Sequence, residues 1–253
     1  MIQLIDFTRR YGNFTAVDGV NLIIPPGEVF GLLGPNGAGK STIVKSITGA
    51  IKPTSGRILV HDQDVTLQPE AVKAKTGYIP EQPAVFKNLT GREYLNFVGR
   101  LYHIPPETLS RRTAELLERF NLTEQADNQI FSYSKGMTQK LIILSAFLHN
   151  PDVLILDEPL SGLDANAAAV FKQTVRSFAA RNKTILFSSH ILEVVQKLCD
   201  RIAILHNGTI LASGTTGEIM QQTATDSLEE AFIKLTGQTD IAKEAADILT
   251  ALG

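Results

Sequence analysis

Residues Gly34-Pro35-Asn36-Gly37-Ala38-Gly39-Lys40-Ser41-Thr42 combine glycines, a lysine and two hydroxyls at the spacing of a phosphate loop, GxxxxGK[ST]. In such a loop the glycines let backbone N–H groups turn inward onto phosphate oxygens. Lys40 can reach the β and γ phosphates, and the Ser41 hydroxyl can ligate Mg²⁺. Thr42 supports the helix start. Val29, Phe30, Leu32 and Leu33 form a short apolar run that reads as a buried strand ending where the glycines begin. Ile43, Val44 and Ile47 then recur at helical spacing up to Gly49, so a helix is predicted to start near Lys40 with its amide end toward the loop. Phosphate is favoured at that end, and a nucleoside triphosphate is the ligand implied.

A second group of chemical side chains lies downstream. Leu154-Ile155-Leu156 leads into Asp157-Glu158, placing two carboxylates at the end of a buried strand, where α/β sheets gather ligand chemistry. Asp157 is placed to hold Mg²⁺ directly or through water, and Glu158 to polarise the water that attacks a γ-phosphate. Thr184-Ile185-Leu186-Phe187 ends in Ser188-Ser189-His190, which brings His190 to the same edge beside Glu158.

The elements that must position these groups can be read from the apolar pattern. Short apolar runs alternate with helical patterns at about 165–180 and 191–198, the arrangement of a parallel sheet flanked by helices, hence an α/β fold. The first 30 residues and 56–60 look different, with alternating strands and turns at Gly12-Asn13 and Pro25-Pro26-Gly27. They predict an antiparallel sheet beside the α/β core. From 83 to about 133 strands disappear, and helical patterns at 92–102 and 106–120 flank Ile104-Pro105-Pro106, which predicts an inserted helical subdomain. Beyond Gly214, helical pieces are expected at 227–235 and 241–252, the first opened by Ser227-Leu228-Glu229-Glu230 at capping-box spacing.

Composition limits the function classes. A chain of 253 residues that is 43% hydrophobic can bury a substantial core, and disorder is excluded as its general state. A net charge of -2 offers no global attraction to nucleic acid. The lone Cys199 cannot form an internal disulfide, and it reads as a small, partly buried side chain in a reducing compartment. Residues 1–7 read as a strand rather than a secretory signal, so the cytoplasm is the expected location. The apolar stretch 141–148, interrupted by Ser145, is far short of the roughly 20 residues that span a bilayer.

Taken together, residues 34–42, Gln82, Ser134-Lys135-Gly136, 154–159, Ser161-Gly162-Leu163-Asp164 and His190 resemble, in order and spacing, an ATP-binding cassette (ABC) ATPase over about residues 2–215. The resemblance implies a P-loop NTPase core with a mainly parallel sheet, an N-terminal antiparallel β-subdomain and a helical subdomain inserted at about 84–150, with accessory helices at 216–253. It implies ATP and Mg²⁺ as cofactors. Tyr11 matches the aromatic that stacks on adenine, its other reading being a surface turn aromatic. Gln82 matches the glutamine that touches Mg²⁺ and the attacking water, and His190 the histidine beside the departing phosphate. Asp164 matches the aspartate that crosses to a partner subunit, and its place ahead of Ala165 also makes it a helix cap.

The signature departs from the family's common LSGGQ, because the chain has Tyr133-Ser134-Lys135-Gly136-Met137. Ser134 Oγ and the amides near Gly136 still present a helix N-terminus to a γ-phosphate, while Lys135 adds a cation. In this family the signature closes over ATP bound at a partner's phosphate loop, so a second cassette, in a homodimer, is implied. The sequences Tyr133–Met137, 89–95 and 227–232 look like ATPase subunits of ABC-2-type exporters. That implies separate transmembrane subunits, a peripheral position at the cytoplasmic membrane face and no nucleic acid. A soluble non-transport ABC ATPase shares the phosphate loop, but the tandem cassettes or long coiled-coil insertions of ribosome and DNA-repair members are not in this sequence. A small-molecule kinase would use Lys40 and Asp157, yet it has no evident use for both Ser134–Gly136 and His190.

Overall fold

Three five-residue segments of almost unbroken apolar character form the centre of the structure: β3 (Val29–Leu33), β7 (Val153–Asp157) and β8 (Thr184–Ser188), each buried along its whole length. Strands covered on both faces have no solvent side, so they read as continuous runs rather than alternations. They pair in parallel and are extended by β6 (Thr76–Ile79) beside β7 and by β9 (Arg201–His206) beside β3. The antiparallel β10 (Thr209–Gly214) closes the edge, giving the order β10-β9-β3-β8-β7-β6. The computed structural model describes residues 1–237 and Thr250.

The alternating N-terminal segments form the expected second sheet, in which β1 (Ile2–Tyr11) lies between β2 (Phe14–Ile24) and β4 (Ser55–Val60), with the short β5 (Gln63–Asp64) at the edge. Ile2, Leu4 and Phe7 face inward. The register shifts between Leu4 and Phe7, where Asp6 takes a left-handed φ of 47°, and this brings Phe7 back to the core side. Helix α1 (Lys40–Ile47) packs Ile43, Val44 and Ile47 into one cluster with Phe7, Leu32 and Leu186.

After α2 (Pro69–Lys75) and β6, the chain forms α3 (Gly91–Leu101), α4 (Pro106–Arg119) and α5 (Lys135–Phe147) before the next strand, β7. Thr90 starts α3 with a capping box, its Oγ1 accepting from Glu93 N at 3.1 Å while Glu93 Oε2 accepts from Thr90 N at 2.8 Å. Helices α3 and α4 approach closely because Gly99 lacks a side chain, and a Cβ there would lie 2.2 Å from Leu109 Cδ1. Helix α5 buries Leu141, Ile142, Ile143 and Leu144 against the sheet, as a helix apolar on all sides must.

Helix α6 (Ala165–Ala180) precedes β8, and α7 (Leu192–Leu198) precedes β9. The chain then adds α8 (Thr216–Thr223) and α9 (Leu228–Thr236), whose Leu228, Ala231 and Phe232 join the core cluster of Val195 and Leu198. At α9 the predicted capping box forms only in half. Ser227 Oγ accepts from Glu230 N at 3.1 Å, but Glu230 Oε2 turns to Asp226 N at 3.2 Å. A complete box closes instead at α8, between Thr215 and Glu218. The helix expected at 241–252 lies, except for Thr250, outside the described residues.

Phe171 on α6 is fully buried and stacks on Phe147 of α5 with ring centroids 6.1 Å apart, which joins two helices on one face of the sheet. Phe171→Ala is expected to lower the unfolding free energy by about 3–5 kcal/mol, measured by urea denaturation. A loss below about 1 kcal/mol would mean that this layer closes over the cavity.

Candidate functional site

The loop between β3 and α1 is shaped by close backbone contacts. A Cβ on Gly34 would sit 2.3 Å from Leu205 O, and one on Gly39, at φ 109°, would sit 2.6 Å from Ala16 O. Only glycine fits either position. Gly39 is also the N-cap of α1 and supplies no side-chain acceptor, so the first-turn amides keep their capacity for an external anion. Lys40 Nζ bridges Gly34 O at 2.5 Å and Pro35 O at 3.0 Å. Burial lowers its pKa, opposed by the charges of Glu158, Asp157 and Glu81.

A cavity of about 370 Å³ opens over this loop. Asn36, Gly37, Gly39, Lys40, Ser41 and Thr42 line one side, Asp157, Glu158, His190 and Glu81 another, and Tyr11, Phe14 and Ala16 of the antiparallel sheet the third. Of the remaining loop residues, Pro35 contributes its carbonyl to Lys40, and Ala38 is buried.

Asp157 ends β7 at 4% exposure, and its pKa is raised chiefly by that burial, with Glu81 and Glu158 adding and Lys40 opposing. Directly after it, Glu158 takes a left-handed φ of 48°, uncommon for a residue with a side chain. Its N–H bonds Ser188 O at 3.0 Å. Its carboxylate accepts from Ser189 Oγ at 3.0 Å and from His190 N at 2.8 Å, and lies 2.6 Å from His190 Nδ1. The segment after β8 therefore holds the Glu158 carboxylate in one orientation at the cavity edge. Ser41 and Asp157 offer hard oxygen donors of the kind Mg²⁺ takes. Among the described residues no cluster of three or more His, Cys, Asp or Glu side chains is placed to hold a metal ion.

Not every expected residue reaches the cavity. Past Pro80 the chain bends at 81–82 and presents Glu81 to it, leaving Gln82 exposed and off the wall. Ser134, Gly136 and Asp164, whose expected place is at a partner subunit, also lie apart from it. Ser134 caps α5, its Oγ accepting from Met137 N at 3.2 Å, and the Gly136 backbone rests against Gly162. Asp164 caps α6 through Ala167 N at 2.8 Å and pairs with Lys140 Nζ at 3.0 Å. The amide and the lysine hold its carboxyl below the usual range.

Phe14, Glu81 and Ser189 are parts of the site that sequence reading passed over. Phe14 had a signal, because it stands directly opposite Tyr11 across the Gly12-Asn13 turn, an aromatic pair flanking a two-residue hairpin loop.

The sequence pattern described as ABC transporter matches residues 17–161. The chain is 35% identical to the ABC transporter ATP-binding protein NatA of Bacillus subtilis over 238 residues, covering 92% of this chain and 97% of NatA. It is 36% identical to the linearmycin resistance ATP-binding protein LnrL of the same organism, over 92% of this chain and 78% of LnrL. It is 37% identical to the daunorubicin resistance ATP-binding protein DrrA3 of Streptomyces coeruleorubidus, over 87% of this chain and 70% of that protein. Among solved structures, an ATP-binding subunit of an ABC transporter superposes with a TM-score of 0.89 at 34% identity, covering 93% of this chain and 99% of the other. A bacterial ABC transporter cassette solved as a dimer superposes with a TM-score of 0.78 at 25% identity, over 85% and 98% of the two chains.

Because Lys40 is the cation closest to the loop carbonyls, its removal is expected to weaken ATP binding at least about tenfold, as measured by titration calorimetry on Lys40→Ala. Unchanged affinity would remove Lys40 from phosphate contact.

Proposed function

The chain belongs to the ABC transporter family, as an ATP-binding and ATP-hydrolysing cassette, and on that premise we propose that it drives an exporter of the ABC-2 type through separate transmembrane subunits. The names of the relatives DrrA3 and LnrL, resistance proteins for daunorubicin and linearmycin, support export as the direction. Among the described residues no helix is long and apolar enough to cross a membrane, and the proposal assigns the transport path to the partner subunits. It places the cassette at the cytoplasmic face of their membrane.

One observation carries the reading: a carboxylate fixed by Ser189 and His190 at the edge of a cavity lined by a phosphate loop. In this proposal the amides of the loop and of α1 hold the β and γ phosphates, with Lys40 exchanging its carbonyl bonds for phosphate oxygens. Tyr11 stacks on the adenine. Ser41 and Asp157 hold Mg²⁺, which supplies charge neutralisation at the phosphates. Glu158 accepts a proton from the attacking water, and His190 keeps its carboxylate in place. Gln82 does not line the cavity in this structure and has no part in this reading.

The helix terminus capped by Ser134 does not reach its own chain's cavity, and we assign it to the cavity of a second copy, where it faces the γ-phosphate beside Gly136. ATP then closes the dimer, hydrolysis reopens it, and the motion passes to the membrane subunits.

Glu158→Gln keeps the shape of the side chain and loses its basicity, so turnover is expected to fall about 10²-fold or more while ATP binding persists. A variant that hydrolyses ATP normally would remove Glu158 from the role. Ser134→Arg is expected to abolish ATP-dependent dimerisation on size-exclusion chromatography and to leave ATP affinity of the monomer unchanged. Loss of monomer affinity instead would refute action across the dimer.

A further inference from the structure

Residues 158–164 leave the end of β7, and α5 holds them along their length. Gln139 Nε2 donates to Pro159 O at 2.9 Å in a buried contact. Lys140 Nζ pairs with Asp164 Oδ2 at 3.0 Å at the far end. Between these two points the segment passes through Gly162 at φ 81°, and its own bonds there, Ser161 N to Glu158 O and Leu163 N to Leu160 O, are both long at 3.2 Å. This middle stretch is where Lys135 attaches. Its Nζ donates to Ser161 Oγ at 3.0 Å, and its Cγ, Cδ and Cε lie 3.2–3.3 Å from the place a Gly162 Cβ would occupy. On the other side, the Gly136 backbone runs so close that a Cβ there would meet Gly162 O at 2.7 Å.

We infer that Lys135 is a positioning residue for ATP turnover, fastening Ser161 and Gly162 to the first turn of α5 so that Glu158, Asp164 and the Ser134 cap keep a fixed spacing. The inference rests on the roles proposed above for Glu158 and Ser134. It accounts for a lysine at the signature position where the family's common form has glycine. A glycine there has no atoms to cover Gly162 and no donor for Ser161. The aliphatic stem of lysine does the covering, and its ammonium makes a charge-assisted bond to the hydroxyl. The clamp matters because the segment starts at Glu158 in a strained left-handed conformation, which persists only where its surroundings hold it. The Lys140–Asp164 pair ties only the far end of the segment and does not reach Ser161 or Gly162.

The test uses the full chain with Lys135→Met, Lys135→Arg, Ser161→Ala and the double variant Lys135→Met/Ser161→Ala. Hydrogen exchange at the Ser161 and Leu163 amides reads the clamp without reference to catalysis, and steady-state ATP hydrolysis reads its consequence. Lys135→Met is expected to speed exchange and lower kcat by about threefold to tenfold each, with KM for ATP unchanged. Lys135→Arg should restore both, and the double variant should be no worse than either single one. Unchanged exchange in Lys135→Met, effects that multiply in the double variant, or faster exchange with unaltered kcat would each overturn the inference. An unsubstituted chain that binds ATP without turnover would refute the functional reading beneath it, and the positioning role with it.

Discussion

The parallel register of three buried strands is the constraint from which the site follows. Ser188 of β8 lies level with Leu32 of β3 on one side and with Asp157 of β7 on the other. The phosphate loop begins two residues after Leu32, Glu158 one residue after Asp157, and Ser189-His190 directly after Ser188. Three segments far apart in sequence therefore emerge at the same height on one sheet edge. A one-residue slip of β7 would turn Asp157 to the opposite face and carry Glu158 away from His190. The buried apolar side chains on both faces of these strands make such a slip costly, so the core itself sets the geometry of the chemistry.

That geometry is held against local preference. The cavity gathers Asp157, Glu158 and Glu81 around one lysine, and burial pushes the Asp157 carboxyl up and the Lys40 ammonium down. Both shifts oppose the charged form. The Asp157 carboxylate therefore costs stability fully at pH above its raised pKa, and the Lys40 ammonium fully at pH below its lowered one. Glu158 adds backbone strain of about 1–3 kcal/mol from its positive φ. A site that is strained and short of positive charge when empty is one that a phosphate-bound cation can stabilise.

Much of this was legible because the signals were local. Apolar runs marked β3, β7 and β8, the glycine-lysine spacing marked the loop, and Ser134 and Asp164 stood where helix caps stand. Orientation was less legible. Glu81 and Gln82 are neighbours with similar side chains, and the bend after Pro80 alone decides which one meets the cavity. The boxes at Thr215 and Ser227 have the same sequence spacing, yet Glu230 is drawn to Asp226 N and the second stays half-formed. Ser189 carried no signal beyond its place beside His190, because its bond to Glu158 spans 31 positions.

The separation of Ser134 from the cavity has a consequence for charge. A triphosphate brings several negative charges to a pocket that already holds three carboxylates and one ammonium. The first turn of α1 supplies only about half a positive charge, and the Mg²⁺ of the proposed reading would offset part of the remainder. Under the proposed reading, a second helix terminus arriving from another copy, with its cap and its lysine already tied to the loop that ends at Asp164, adds positive potential on the open side of the phosphates. ATP then favours the closed pair because only that state meets its charge from both sides. Once the γ-phosphate leaves, less negative charge remains to hold the two faces together, and opening follows from the same electrostatics that drove closure.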